Sequence, residues 1–179
     1  MDDASTDLIP IVWKTVVVHT VTYFVAGVIS FVAFDYPARW EDPLMVCLMR
    51  PLDDPIVRAG LLFQPLRGLV FGLVFFPLRE AFFERSRGWL LLWWTLFALA
   101  ILNTFGPATG SIEGMVYTNF PALGQIAGWP EVVAQSGALA GVLAYWVRHP
   151  RARWLTWLLH LAFVVTLGMT VMGLVMAPR

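Results

Sequence analysis

One arginine stands inside an apolar run. Residues 60–78 read Gly-Leu-Leu-Phe-Gln-Pro-Leu-Arg-Gly-Leu-Val-Phe-Gly-Leu-Val-Phe-Phe-Pro-Leu, with Arg67 near the middle and Gln64 one turn before it. The run is long and apolar enough to cross a bilayer as a helix. A guanidinium stays protonated, and placing it at the centre of such a helix costs at least about 2.5–3.5 kcal/mol. Arg67 therefore needs a counter-charge or a polar cavity. Its planar fork suits a carboxylate or a phosphate, so the chemistry on offer is anion recognition. Glu113 sits in a Gly-rich, moderately apolar segment and is the first choice of partner; Asp35, at the end of the preceding apolar stretch, is the second. Gln64 and Asn103 add hydrogen-bonding groups to the same set. Three outcomes follow. An ion pair locks segment 106–121 onto the Arg67 helix, or Arg67 lines an outward-facing polar pocket that binds or passes an anionic small molecule or lipid headgroup, or Arg67 snorkels at a subunit contact.

Two histidines form a second set. His19 lies eight residues beyond Ile11 and His160 six residues beyond Trp154, each inside an apolar stretch. At 1.5 Å per residue both sit about 9–12 Å from one membrane surface. Paired in that way they can ligate the iron of haem b through both axial positions, which would make the chain an electron-transfer subunit. The plainer alternative is two neutral histidines bonded to neighbours such as Thr15 or Thr156. A third reading, an enzyme modifying a lipid or isoprenoid inside the membrane, would use Glu113 or Asp35 as general acid and Arg67 to stabilise an anion. It ranks last, because the sequence carries no P-loop, zincin helix, paired-cysteine motif or nucleophile elbow.

The elements that must position these residues are helices. The chain has 179 residues, 59% of them hydrophobic and 13% charged, and its mean hydropathy is +0.71. Soluble domains carry about 25% charged residues. The expected fold is an all-α integral membrane protein with a single domain over 1–179. Its five spans are placed at about 11–34, 60–78, 89–105, 130–147 and 154–176. Along the first, Thr15, His19, Thr22, Tyr23, Ala26 and Ser30 share a face that points toward other helices. The connection 35–59 is long against a usual median of about 4–6 residues and reads as an outer lid with a short interfacial helix. Segment 106–121 reads as an outer half-helix. Gly68 with Gly72, and Gly137 with Gly141, are small-residue pairs that allow close helix contact.

Twelve basic and 12 acidic residues balance, so composition gives no electrostatic case for nucleic-acid binding. The single cysteine, Cys47, excludes an internal disulfide. The acidic start lacks the basic region of a signal peptide, which predicts that the first span is retained. Lys14, Arg79, Arg85, Arg87, Arg148, Arg151 and Arg153 on one side outnumber Arg39, Arg50, Arg58 and Arg179 on the other. That bias predicts a multi-pass protein of the cell (inner) membrane, amino terminus cytoplasmic and carboxyl terminus outside. The expected partners are membrane lipid and either further copies of the chain or other subunits of a membrane complex.

Overall fold

Two Asp-Pro dipeptides set helix starts that hydropathy alone does not locate. In the computed structural model, which describes residues 6–102 and 108–176, the Asp42 carboxylate accepts from the Leu44 amide at 2.8 Å and the Asp54 carboxylate from the Ile56 amide at 2.7 Å. Each aspartate caps a helix whose first residue is proline, where the missing N–H costs nothing. The backbone bond from Ile56 also holds the Asp54 carboxyl below the usual carboxylate range, with a smaller contribution from Arg50 at 3.2 Å.

The described residues are helical throughout, without a strand: α1 (Leu8–Ala33), α2 (Tyr36–Trp40), α3 (Pro43–Leu48), α4 (Pro55–Ala59), α5 (Gln64–Phe75), α6 (Gly88–Phe97), α7 (Ile112–Tyr117), α8 (Ala122–Ile126), α9 (Trp129–Arg148) and α10 (Arg153–Val175). A 3-10 turn, Gly60–Phe63, joins α4 to α5. Pro65 cannot donate to the Leu61 carbonyl one turn back; the Gln64 amide takes that carbonyl instead, and the helix tightens there without breaking. Residues 55–75 thus form one continuous element, and the Arg67 helix starts five residues earlier than hydropathy placed it.

Three helices are long and apolar enough to cross a membrane: Leu8–Ala33, Pro55–Phe75 and Arg153–Val175. A shorter apolar segment, Gly88–Leu102, combines α6 with π-helical Ala98–Leu102. The 20-residue α9 carries Glu131, Gln135, Ser136 and Arg148. Packing centres on α1. α5 runs antiparallel to it: a Cβ on Gly68 would lie 2.7 Å from the Val16 Cα, and one on Gly72 2.7 Å from the Val12 Cα. That glycine pair therefore serves a contact within the chain, as the small-residue spacing predicts. α9 is also antiparallel to α1, with Lys14 Nζ donating to the Trp146 carbonyl at 3.3 Å near one end. α10 runs parallel to α1, since Trp13 meets His160 while Gly27 shares a groove with Gly173. Gly137 receives the Trp93 indole of α6, but Gly141 faces open space, so only half of the second small-residue pair is a packing contact.

Thr15, His19, Thr22 and Ser30 are buried, whereas Val28, Ile29, Phe31 and Val32 are exposed, so the polar side of α1 faces the protein. Its threonine hydroxyls return to carbonyls one turn back, as in Thr15 to Ile11 at 2.7 Å and Thr20 to Val16 at 2.8 Å. Beyond α5, π-helical Glu80–Glu84 leads to a tight corner. Arg148 donates to the carbonyls of Phe83 at 2.8 Å, Ser86 at 3.2 Å and Arg85. These carbonyls lie at and just beyond a helix end, where intrahelical donors run out.

Candidate functional site

The stripe of α5 that meets α1 is Gln64, Gly68, Gly72 and Phe75, all buried. The two glycines bring the backbones close enough for short polar side chains to bond across the seam. There Gln64 Oε1 lies 3.1 Å from His19 Nε2, while the Gln64 amide nitrogen donates to the Gly60 carbonyl at 3.2 Å. With its amide hydrogen committed to Gly60, Gln64 presents an acceptor, so His19 donates from Nε2 and keeps its lone pair on Nδ1. That Nδ1 is the buried side-chain atom without a hydrogen-bond partner among the described residues. Phe71 meets the His19 ring edge-on at 5.0 Å.

Arg67 lies one turn before Phe71, over whose ring its guanidinium sits at 5.7 Å. It is exposed. α5 packs along α1 and makes no comparable contact with another long helix. Leu66, Val70 and Val74, also on α5, are more than half exposed. The ion pair among the described residues is Arg50 with Asp54, so Arg67 has no carboxylate within 4 Å there. Arg67 stands twelve residues after Pro55 and eight before Phe75, about 18 Å and 12 Å from the ends of its helix.

The acids expected beside Arg67 are elsewhere. Glu113 is in α7, which packs on Ala98–Leu102 and on α8 rather than on α5, so the lock between Arg67 and Glu113 does not form. Ser111 caps the six-residue α7 by accepting from the Gly114 amide at 2.9 Å, and the helix ends at Tyr117. Asp35 is exposed at φ +46°, the left-handed turn that ends α1 and starts α2. Asn103 lies outside the described residues.

His160 sits beside Trp13, six residues and about 9 Å along α1 from His19. Its Nε2 accepts from the Trp13 indole at 2.9 Å, and its Nδ1 donates to the Thr156 carbonyl at 2.7 Å. Both ring nitrogens are engaged, which leaves no lone pair for a metal. His19 turns toward α5 and His160 toward Trp13 and Trp146, so the geometry does not present them as facing ligands. No group of three His, Cys, Asp or Glu side chains gathers among the described residues.

Two polar centres escaped the sequence reading. Tyr36 donates its hydroxyl to Glu131, in the first turn of α9, which ties the connection after α1 to the start of α9. Burial, followed by that bond, pushes the Tyr36 phenol well above its ordinary pKa. Gln125, 1% exposed, accepts from the Gly110 amide at 3.2 Å and donates to the Phe120 carbonyl at 2.8 Å and to Thr118 Oγ1 at 3.3 Å. One amide side chain thereby organises 108–126. A lone acid at the start of an apolar helix was a usable signal for Glu131; for Gln125 no local pattern was available.

Comparisons with the profiles of known families, with characterised proteins and with solved structures return no match.

Proposed function

We propose that the chain is a five-span membrane protein, amino terminus cytoplasmic, that engages an anionic group inside the bilayer through Arg67. In this reading it is a subunit of a larger membrane assembly, and the anion is a carboxylate on a partner membrane helix, from a second copy or another protein. Support for five spans comes from direction: α6 with Ala98–Leu102, about 22 Å long, and α9, about 30 Å, alternate in direction with the three longer apolar helices. Support for the orientation is the excess of basic residues at the Lys14, Arg85 and Arg148 end.

One observation carries the functional reading. Arg67 is exposed on a helix face that packs on nothing comparable to α1, deep within a 55–75 element about 31 Å long. That length matches the hydrocarbon core. A guanidinium that leans toward the start of its helix still ends inside it. A helix-borne carboxylate meets it at that depth. The outward lean supports a second reading, in which local thinning brings an anionic lipid headgroup or metabolite down to Arg67.

Native mass spectrometry of gently extracted protein tests both. The expected wild-type particle exceeds the 20.1 kDa protomer by another polypeptide, and Arg67→Ala releases a monodisperse, fully helical protomer. A small-molecule increment lost in Arg67→Ala selects the second reading. An unchanged particle in Arg67→Ala refutes both.

A further inference from the structure

A groove of about 510 Å³ opens between α1 and α9, independent of Arg67. Its volume is that of a small-molecule site. One end is polar, with Ser30, Glu131 and Gln135; the rest is apolar, reaching Val21, Val142 and Leu159. Ser30 and Gln135 line the groove, and neither side chain makes a hydrogen bond among the described residues. Tyr36 occupies one oxygen of Glu131, Oε2, and leaves the other unbonded among the described residues. Polar groups without partners beside hydrocarbon are costly, so this end is built to be filled by something polar.

From the polar end to the apolar end the groove runs nine residues of α1 and eleven of α9, about 14–17 Å. The occupant is therefore long and narrow, with a small head near the end of α1 and a chain along the helices. The head must donate to Glu131 and accept from the Gln135 amide and the Ser30 hydroxyl. A hydroxyl offers one donor and two lone pairs, which fits. A carboxylate or phosphate head meets the Glu131 charge, and an ammonium has no lone pair for the Gln135 amide hydrogens. We infer that the groove between α1 and α9 binds a single-chain lipid alcohol, with its hydroxyl held by Glu131, Gln135 and Ser30.

The test uses the full chain in nanodiscs and three photoreactive probes of equal length: a fatty alcohol, the matching fatty acid and the matching alkane. Each carries a diazirine in the tail, and adducts are mapped by peptide mass spectrometry. The alcohol is expected to label the groove-lining parts of α1 and α9, in competition with unlabelled farnesol. Ala138→Phe, which fills the groove and leaves the head group site intact, should cut that labelling at least about tenfold. Gln135→Ala should weaken it at least about threefold, as loss of one neutral hydrogen bond requires. If Ala138→Phe does not give monodisperse protein, Ala134→Leu decides in its place. Adducts spread over lipid-facing helices, or groove labelling that survives the filling variant, overturn the site. Equal groove labelling by the three probes, or indifference to Gln135→Ala, overturns the alcohol assignment.

Discussion

Gly68→Ala is the most direct probe of the seam that holds His19 against Gln64. The added Cβ would stand 2.7 Å from the Val16 Cα, against the 3.4 Å at which ordinary contact begins. The obstacle is backbone, so no side chain can swing aside. The helices must separate by about 0.7 Å, or tilt by an equivalent amount. The His19–Gln64 bond, now 3.1 Å, then stretches past hydrogen-bond range. Overpacking of this kind costs about 1–3 kcal/mol, and a lost interhelical bond in a membrane about 0.6 kcal/mol. The better helix propensity of alanine offsets about 0.5–1 kcal/mol. The net expectation is a loss of about 0.6–3 kcal/mol. Gly141→Ala is the matched control: it too lies inside a long helix, but its Cβ would meet nothing within 4 Å, so the change should be neutral or stabilise by up to about 1 kcal/mol. Unfolding from mild detergent, followed by tryptophan fluorescence and far-UV circular dichroism, compares the two. Equal stabilities within about 0.5 kcal/mol would refute the close-packed seam.

Arg148→Lys keeps the charge but replaces a planar fork that reaches three carbonyls with a point donor; a loss of about 1–3 kcal/mol is expected, with hydrogen exchange rising first over residues 83–88. Gln125→Met keeps volume and leaves the Gly110 amide and Phe120 carbonyl without their partner; limited proteolysis should then cut within 108–126 at protease levels that spare the wild type. For Tyr36 the phenol is held above its ordinary value of about 10, so the folded state binds the proton more tightly than the unfolded one. The associated stability is complete below about pH 10 and is lost as pH rises through the folded value. A wild-type melting temperature that falls between pH 9 and 11 no more steeply than that of Tyr36→Phe would contradict this assignment.

The longer helices were legible as apolar runs, whereas the Asp42 and Asp54 caps, a local device, were not anticipated from the sequence. Hydropathy misplaced the start of the Arg67 helix for a physical reason: Pro55 and Arg58 read as loop residues, although proline is well placed at a first helical position and Arg58 extends from an exposed turn. Which residue meets which was less accessible. Helices apolar on most sides carry little directional signal, so no pattern told which residue Glu113 or Glu131 would meet. The pairings of His19 with Gln64 and of Tyr36 with Glu131 join residues 45 and 95 positions apart. They depend on helix register, which for His19 and Gln64 the Gly68–Val16 and Gly72–Val12 contacts set. Only the glycine half of that contact carries a sequence signal.

The contrast between Arg67 and Arg148 gives the strongest reason to look outside the chain for a ligand. Most polar side chains here are satisfied by carbonyls within one turn, as with Thr15, Thr20, Gln64 and His160. That device supplies one acceptor to one or two donors. A guanidinium has five donors, and inside a helix the carbonyls are already taken by the i+4 amides. Arg148 escapes the shortage because it ends α9 opposite a corner whose carbonyls need donors. Arg67 stands in the middle of α5, where no such surplus exists, and the aromatic face of Phe71 takes up charge but accepts no full set of hydrogen bonds. Its side chain is exposed, and no hydrogen bond from it is seen among the described residues. On the proposed reading hydrocarbon offers no acceptor there, so satisfying its donors takes an oxygen-bearing group from another molecule at that depth, and the α5 face is where that molecule would dock.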